Sequence, residues 1–219
     1  MRPLQERGPR PQAAWRFPLA FAAITGATYL AGLLLMALFP NGVQALDRAG
    51  MDLAIEMRSP GWTTAARAIT TFGDADVVTI VIAIALTATA IGRSRMWTGF
   101  FAVVLVGALG IHSIVKPLVG RMRPDMDPLI DIGGHAFPSG HATAATVVYG
   151  AFAVVAIARW RGSRALFVGV AACLLAAAVG LSRVYLGVHW PTDVIAGTVV
   201  GGVWVYAATR LSSVLHGMG

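Results

Sequence analysis

Lys116, Arg123 and Arg183 bring fixed positive charge and many N–H donors with no acceptor among them, equipment suited to phosphate oxygens. Lys116 and Arg123 stand in the run Lys116-Pro-Leu-Val-Gly-Arg121-Met-Arg123-Pro124. A second run, Pro138-Ser139-Gly140-His141, opens an apolar stretch. Ser139 is a natural N-cap there, so Gly140 and His141 start a helix with free backbone N–H groups, an anion site by geometry and dipole together. Gly140 also lets backbone approach a ligand closely. A lone arginine beside a membrane is normally a snorkelling anchor, but three cations beside a capped helix start and two histidines are a different object.

The third run is Ser182-Arg183, five residues, His189, three residues, Asp193. Pro191 is a preferred first helical residue, which puts His189 at a helix entrance and Asp193 in the first turn. Four residues on, the carboxylate is placed to reach the imidazole Nδ1–H, fix the tautomer and leave Nε2 as a nucleophile, as the aspartate does in a serine-protease triad. His141 is then the natural general acid, because a phosphate dianion beside it favours its protonated form. A His and an Asp near a helix start are more often ordinary capping; Arg183 six residues earlier adds weight to the pair. Arg121 is a candidate to join the phosphate cluster or clamp a second phosphate. His135, in the loop before the second run, is a candidate headgroup contact. His112, one turn before Lys116, either tunes that lysine or packs. Asp125, Asp127 and Asp131 could suggest a cation, but solvated loop carboxylates are the simpler reading, and no metal is expected.

These runs need elements to bring them together, and the composition says what kind. Hydrophobic residues make up 57% of the 219-residue chain and charged residues only 12%, against about 25% charged in soluble domains; the mean hydropathy is +0.71. Apolar stretches run over Phe17–Phe39, Val77–Ile91, Trp97–Val115, Ala142–Ala158, Ala165–Leu181 and Val194–Ala208. A bilayer core takes about 20 apolar residues, so the expected fold is all-α, a polytopic membrane protein with six transmembrane helices rich in Gly and Ala for close packing. Phe17–Phe39 is too long for a signal-peptide core and lacks a small-residue cleavage pattern. Asn41–Gly73 is not apolar enough to cross. Val43, Leu46, Gly50, Leu53 and Met57 recur at helical spacing, as do Trp62, Ala65, Ala66, Ile69 and Phe72, which predicts two short amphipathic helices in the interface between the first two spans. They are expected either to cap the bundle or to border a lateral entrance for lipid.

Residues 1–16 are expected to be a basic, disordered cytoplasmic segment, 17–210 the membrane-integral domain and 211–219 a cytoplasmic tail. Six crossings put both termini on the side that collects Arg2, Arg7, Arg10, Arg16, Arg93, Arg95, Arg159, Arg161, Arg164 and Arg210, the cytoplasm by the positive-inside rule. All three polar runs then fall on the extracytoplasmic face. The net charge of +7 follows this distribution, so no nucleic-acid partner is expected. Cys173 lies in an apolar stretch and reads as a small packed hydrophobe.

The pattern Lys, six residues, Arg-Pro; Pro-Ser-Gly-His; Ser-Arg, five residues, His, three residues, Asp resembles the signature of the type 2 phosphatidic acid phosphatase family, with no polar position substituted across Lys116–Asp193. The resemblance implies a phosphohistidine at His189, Asp193 orienting it, and His141 protonating the leaving oxygen and later activating water. It further implies that Lys116, Arg123, Ser139, Gly140 and Arg183 hold the phosphoryl oxygens, with no cofactor. The implied partners are membrane lipid and a lipid phosphate or prenyl pyrophosphate substrate (phosphatidate, phosphatidylglycerophosphate or undecaprenyl pyrophosphate) in a bacterial inner or plasma membrane; a homo-oligomer is compatible with this. A phosphotransferase using the same histidine is the alternative. Vanadate-dependent haloperoxidases resemble the signature too, but are soluble and larger. A scaffold or channel would be indifferent to loss of His189 or His141.

Overall fold

Prolines at the first helical position, and the residues just before them, set where several helices begin. Pro40 and Pro60 open two helices, and Ser59 caps the second by accepting the Trp62 N–H at 3.3 Å. The computed structural model describes residues 16–215. In chain order these form α1 (Arg16–Leu38), α2 (Pro40–Glu56), α3 (Pro60–Thr70), a 3-10 turn (Thr71–Gly73), α4 (Ala75–Ile91), α5 (Arg95–Val119), α6 (Gly140–Arg159), α7 (Ser163–Tyr185) and α8 (Pro191–Leu215). No strand occurs among the described residues, so the chain is all-α as expected.

Helices α1, α5, α6, α7 and α8 are each long and apolar enough to cross a membrane. The 17 residues of α4 reach about 25 Å, short of a hydrocarbon core of about 30 Å. Joined to Pro60–Gly73 across a 48° bend, α4 meets the same length and apolarity criteria. By length and composition the described residues therefore hold five crossing helices, or six if this bent pair is one span. The last helix, α8, begins at Pro191 with Asp193 in its first turn, as expected, and runs beyond the apolar stretch Val194–Ala208 to Leu215. That helix also carries five residues of the expected tail, Leu211–Leu215; residues 216–219 lie outside the described residues, as do 1–15 of the expected segment 1–16, whose last residue, Arg16, begins α1.

In lipid, helix association comes from close packing and hydrogen bonds rather than from hydrophobicity. The center is α6, which packs against α5, α7 and α8 through small residues including Ala142, Ala144, Ala145 and Ala151. Gly197 shows how tight the α6–α8 crossing is: a Cβ there would stand 2.6 Å from the Ser139 carbonyl oxygen. The start of α6 can thus lie against α8 only because a side chain is missing. Around this core, Leu30, Leu34, Ile84, Phe167, Leu174 and Val199 remain exposed, as lipid-facing residues would.

The amphipathic pair α2 and α3 is present, and much of its apolar stripe faces away from the bundle. Leu46, Leu53, Met57, Trp62 and Phe72 point outward. The inward face of α2 is instead Val43, Asp47, Met51 and Ala54. When the surroundings are lipid, an apolar stripe is not a guide to the inside.

Candidate active site

Four helix ends converge at one end of the bundle: the last turns of α5 and α7 and the first turns of α6 and α8. Each carries part of the three polar runs. Lys116 is in the last turn of α5, which Gly120 closes in a left-handed conformation (φ 67°) with its N–H on the Lys116 carbonyl at 3.0 Å. Arg123 follows in the loop, where its Nε donates to the carbonyl oxygens of Gly134 at 3.1 Å and Gly133 at 3.3 Å, and its Nη1 to that of Val188 at 2.7 Å. Arg183, on the last turn of α7, is only 2% exposed. Its Nη1 donates to Thr70 Oγ1 at 2.7 Å, and its Nε has no hydrogen-bond partner.

His189 lies in the short connection before α8 with its Nε2 3.2 Å from Arg123 Nη1. A guanidinium only donates, so Nε2 must accept, and the proton of the neutral ring belongs on Nδ1. The lone pair that could attack phosphorus is therefore on the nitrogen that faces the cations. Burial drives the pKa of His189 well below its ordinary value, and Arg123, Lys116, Arg183 and His141 push it further down. The imidazole is held neutral. Burial likewise lowers the Arg123 pKa, while Asp193 opposes that shift.

Asp193 faces the other side of that ring, but its Oδ2 is 3.6 Å from Nδ1, an ion-pair separation longer than a hydrogen bond. The expected Nδ1–H contact is thus looser than the four-residue spacing suggested. His189 precedes the helix, so the helical register that brings such pairs together does not extend to it. Asp193 instead accepts the Trp190 N–H at 2.9 Å and Arg121 Nη1 at 2.5 Å. It occupies the third helical position and reaches back to the residue before the helix, one half of a capping box. Capping and facing His189 are both done by this one carboxylate.

Ser139 is the cap the sequence suggested: its Oγ accepts the Ala142 N–H at 3.4 Å. Its own N–H donates to the Asp193 carbonyl oxygen at 3.0 Å, which ties the start of α6 to the start of α8. The N–H groups of Gly140 and His141 make no hydrogen bond within the described residues and open the helix as donors. His141 Nε2 is 2.8 Å from Asp74 Oδ1. His112 packs its ring beside Gly140, whose Cβ, if it had one, would sit 2.9 Å from the His112 ring.

Arg121 stands apart from the other cations in what it touches. Its guanidinium bonds Asp193, Thr192 Oγ1 at 2.8 Å and Asp47, and lies 5.8 Å from the Trp190 ring center. It is turned toward the carboxylates of Asp193 and Asp47, on the far side of His189 from the other cations. His135 is half-buried in the loop that anchors Arg123. Among the acids once considered for a cation, Asp127 pairs with Arg58 at 3.1 Å. No group of three or more His, Cys, Asp or Glu poised to hold a metal occurs among the described residues.

Four residues of this constellation escape a reading of the sequence: Asp47, Thr70, Asp74 and Thr192. Asp74 stands at the N-cap position of α4, with no side-chain hydrogen bond to the helix. Nothing in local spacing links it to a histidine 67 residues later.

Comparison with known proteins gives a consistent picture. The model of the PAP2 superfamily matches residues 97–215. Phosphatidylglycerophosphatase B of Bacillus subtilis (strain 168) is 31% identical over 172 residues, covering 77% of this chain and 84% of that protein. Decaprenylphosphoryl-5-phosphoribose phosphatase of Mycolicibacterium smegmatis is 34% identical over 145 residues, 63% of this chain and 72% of that protein. A crystal structure of a transmembrane PAP2 type phosphatidylglycerolphosphate phosphatase from Bacillus subtilis superposes with a TM-score of 0.73 at 27% identity, covering 85% of this chain and 94% of that one.

Proposed function

The chain belongs to the PAP2 superfamily, and from that premise we infer that it is an integral membrane lipid phosphatase whose nucleophile is His189. Lys116, Arg123 and Arg183, with the Ser139 hydroxyl and the N–H groups of Gly140 and His141, bind the nonbridging phosphoryl oxygens. The His189 Nε2 lone pair attacks phosphorus in line, the P–N bond forms, and the P–O bond to the lipid breaks. His141 gives its proton to the departing oxygen. Water then attacks the phosphohistidine, yielding its proton to His141 as the P–N bond opens and inorganic phosphate leaves. Charge on the equatorial oxygens is met by groups already in place, which is where most of the rate enhancement of such a loose transition state arises.

One observation carries this reading: the acceptor nitrogen of a neutral, buried imidazole stands 3.2 Å from Arg123, within the field of Lys116 and Arg183. When a phosphate arrives, it offers Arg123 a better partner and frees the lone pair. Phosphorylated lipids suit the location, since their tails can remain in the bilayer while the headgroup enters. The arginines at 93, 95, 159, 161 and 164 lie in or beside the α4–α5 and α6–α7 turns, at the ends of these helices away from the site. That distribution favors a site on the extracytoplasmic face.

The test is phosphate release from phosphatidate, phosphatidylglycerophosphate and undecaprenyl pyrophosphate by purified protein in detergent with EDTA, beside His189→Ala. Release by the wild type alone, with an acid-labile phosphoenzyme trapped on His189, is the expected result. Equal rates for both proteins on every lipid would end the reading. Mass spectrometry of the products distinguishes transfer to water from transfer to another lipid or a sugar.

A further inference from the structure

Asp47 is nearly the most deeply buried acid of the described residues, at 2% exposure, and it lies on a helix that does not enter the bundle. Its Oδ1 accepts the Thr192 N–H at 2.9 Å and its Oδ2 the Thr192 hydroxyl at 2.9 Å. The same Oδ2 is paired with Arg121. Arg121 in turn holds Asp193 Oδ1 through Nη1 at 2.5 Å. A carboxylate, a guanidinium and a second carboxylate thus run in line from α2 to the ring of His189.

We propose that Asp47 and Arg121 are positioning residues for the nucleophile, so that the interfacial helix α2 is a working part of the site; this rests on the reading of His189 given above. The geometry has a reason for each member. Asp193 is 0% exposed, and a carboxylate so placed stays ionised only beside a cation. Arg121 provides it. A single arginine between two carboxylates has its two terminal nitrogens fixed on opposite sides, and its planar fork cannot rotate without losing one of them. Asp47 therefore sets the direction from which Arg121 meets Asp193. Because Asp193 is too far from Nδ1 for a hydrogen bond, its alignment with the imidazole rests on the Trp190 N–H that holds the facing oxygen and on Arg121, which holds the other.

The position of α2 is constrained to match. A Cβ on Gly50 would lie 2.5 Å from Pro191 Cγ, so the helix is seated directly on the first residue of α8. Val43, Met51 and Ala54 share that buried face with Asp47. An interfacial helix serving only as a cap would not need an acid in the center of its packed side.

A double-mutant cycle separates positioning from general support, read as kcat and KM on a lipid phosphate in detergent with thermal stability measured in parallel. Asp47→Asn should lower kcat by roughly 10- to 100-fold, as loss of an outer hydrogen-bond partner commonly does, with KM changed by less than about threefold. In an Asp193→Asn background, where there is no charge left to orient, Asp47→Asn should change kcat by less than about twofold. Arg121→Lys keeps the positive charge but cannot span both carboxylates, and it serves the same cycle if Asp47→Asn does not fold. Equal losses from either variant in both backgrounds, or a loss of thermal stability with kcat intact, would overturn the proposal. An inactive His189→Ala beside a fully active Asp47→Asn would sink this inference and leave the phosphatase reading standing; activity in His189→Ala would sink the reading itself.

Discussion

His189 and His141 each face a carboxylate, and the two pairs are built in opposite ways. Asp193 has no exposed surface and is held by Arg121 and the Trp190 N–H, yet its oxygen stands 3.6 Å from the His189 ring. Asp74 is 46% exposed and meets His141 Nε2 at 2.8 Å; among the described residues it makes no other side-chain hydrogen bond. A nucleophile needs a lone pair that stays in one place and a counter-charge that does not vary with the solvent. An acid that must recover its proton in every cycle needs a route to water. The buried pair suits the first task and the exposed pair the second.

Breaking the two pairs one at a time tests that division. The largest expected effect is His189→Ala, which should bring lipid phosphate release down by at least about 10⁴-fold, measured as inorganic phosphate against time. Next, Asp193→Asn should lower kcat by about 10³- to 10⁴-fold, in the range known for removing a buried orienting aspartate. Asp74→Asn should cost about 10- to 100-fold, at the low end for impairing an acid–base group without deleting it. If the two asparagine variants lose the same factor, the contrast between the pairs has no functional meaning.

Salt sharpens the comparison. Exposed charges are screened with a Debye length of about 3 Å at 1 M ionic strength. The deficit of Asp74→Asn relative to wild type should therefore shrink by a few-fold between low and high salt, while that of Asp193→Asn stays constant. The smallest expected effect concerns protonation. An ordinary histidine of pKa about 6.5 is half protonated at pH 6.5 and loses half its reactivity there. The His189 pKa lies well below that value, so the ring stays neutral as pH falls through 6.5. The rate of its acylation by diethyl pyrocarbonate, followed in His141→Gln and protected by vanadate, should keep its plateau down to pH 6.5 and decline only below it. A half-point at 6.5 would mean that the imidazole is exposed to water.

The long helices and the three polar runs were legible because each is written in consecutive residues. Apolar stretches mark spans, Ser139 and Pro191 mark helix starts, and alternating spans bring the runs to one end. The partners of those runs were not legible. Asp47 meets Thr192 across 145 residues and Arg183 meets Thr70 across 113, and no local pattern encodes such distances. The buried side of α2 was not legible for a physical reason: Leu46 and Leu53 face outward because the outside is apolar, and Asp47 faces in. The register of His189 and Asp193 was half readable, since four-residue spacing has its helical meaning only when both residues lie in the helix.

One short stretch of chain serves two separate jobs. Thr70 supports the guanidinium of Arg183, and Asp74, on the far side of the 3-10 turn, holds His141. The bend between α3 and α4 occurs at this same place. The five residues from 70 to 74 therefore join Arg183 and His141, the proposed phosphate clamp and proton donor, through one short stretch of backbone. A displacement of this backbone should appear as correlated faults in grip and protonation, whereas Asp74→Asn should touch only the second.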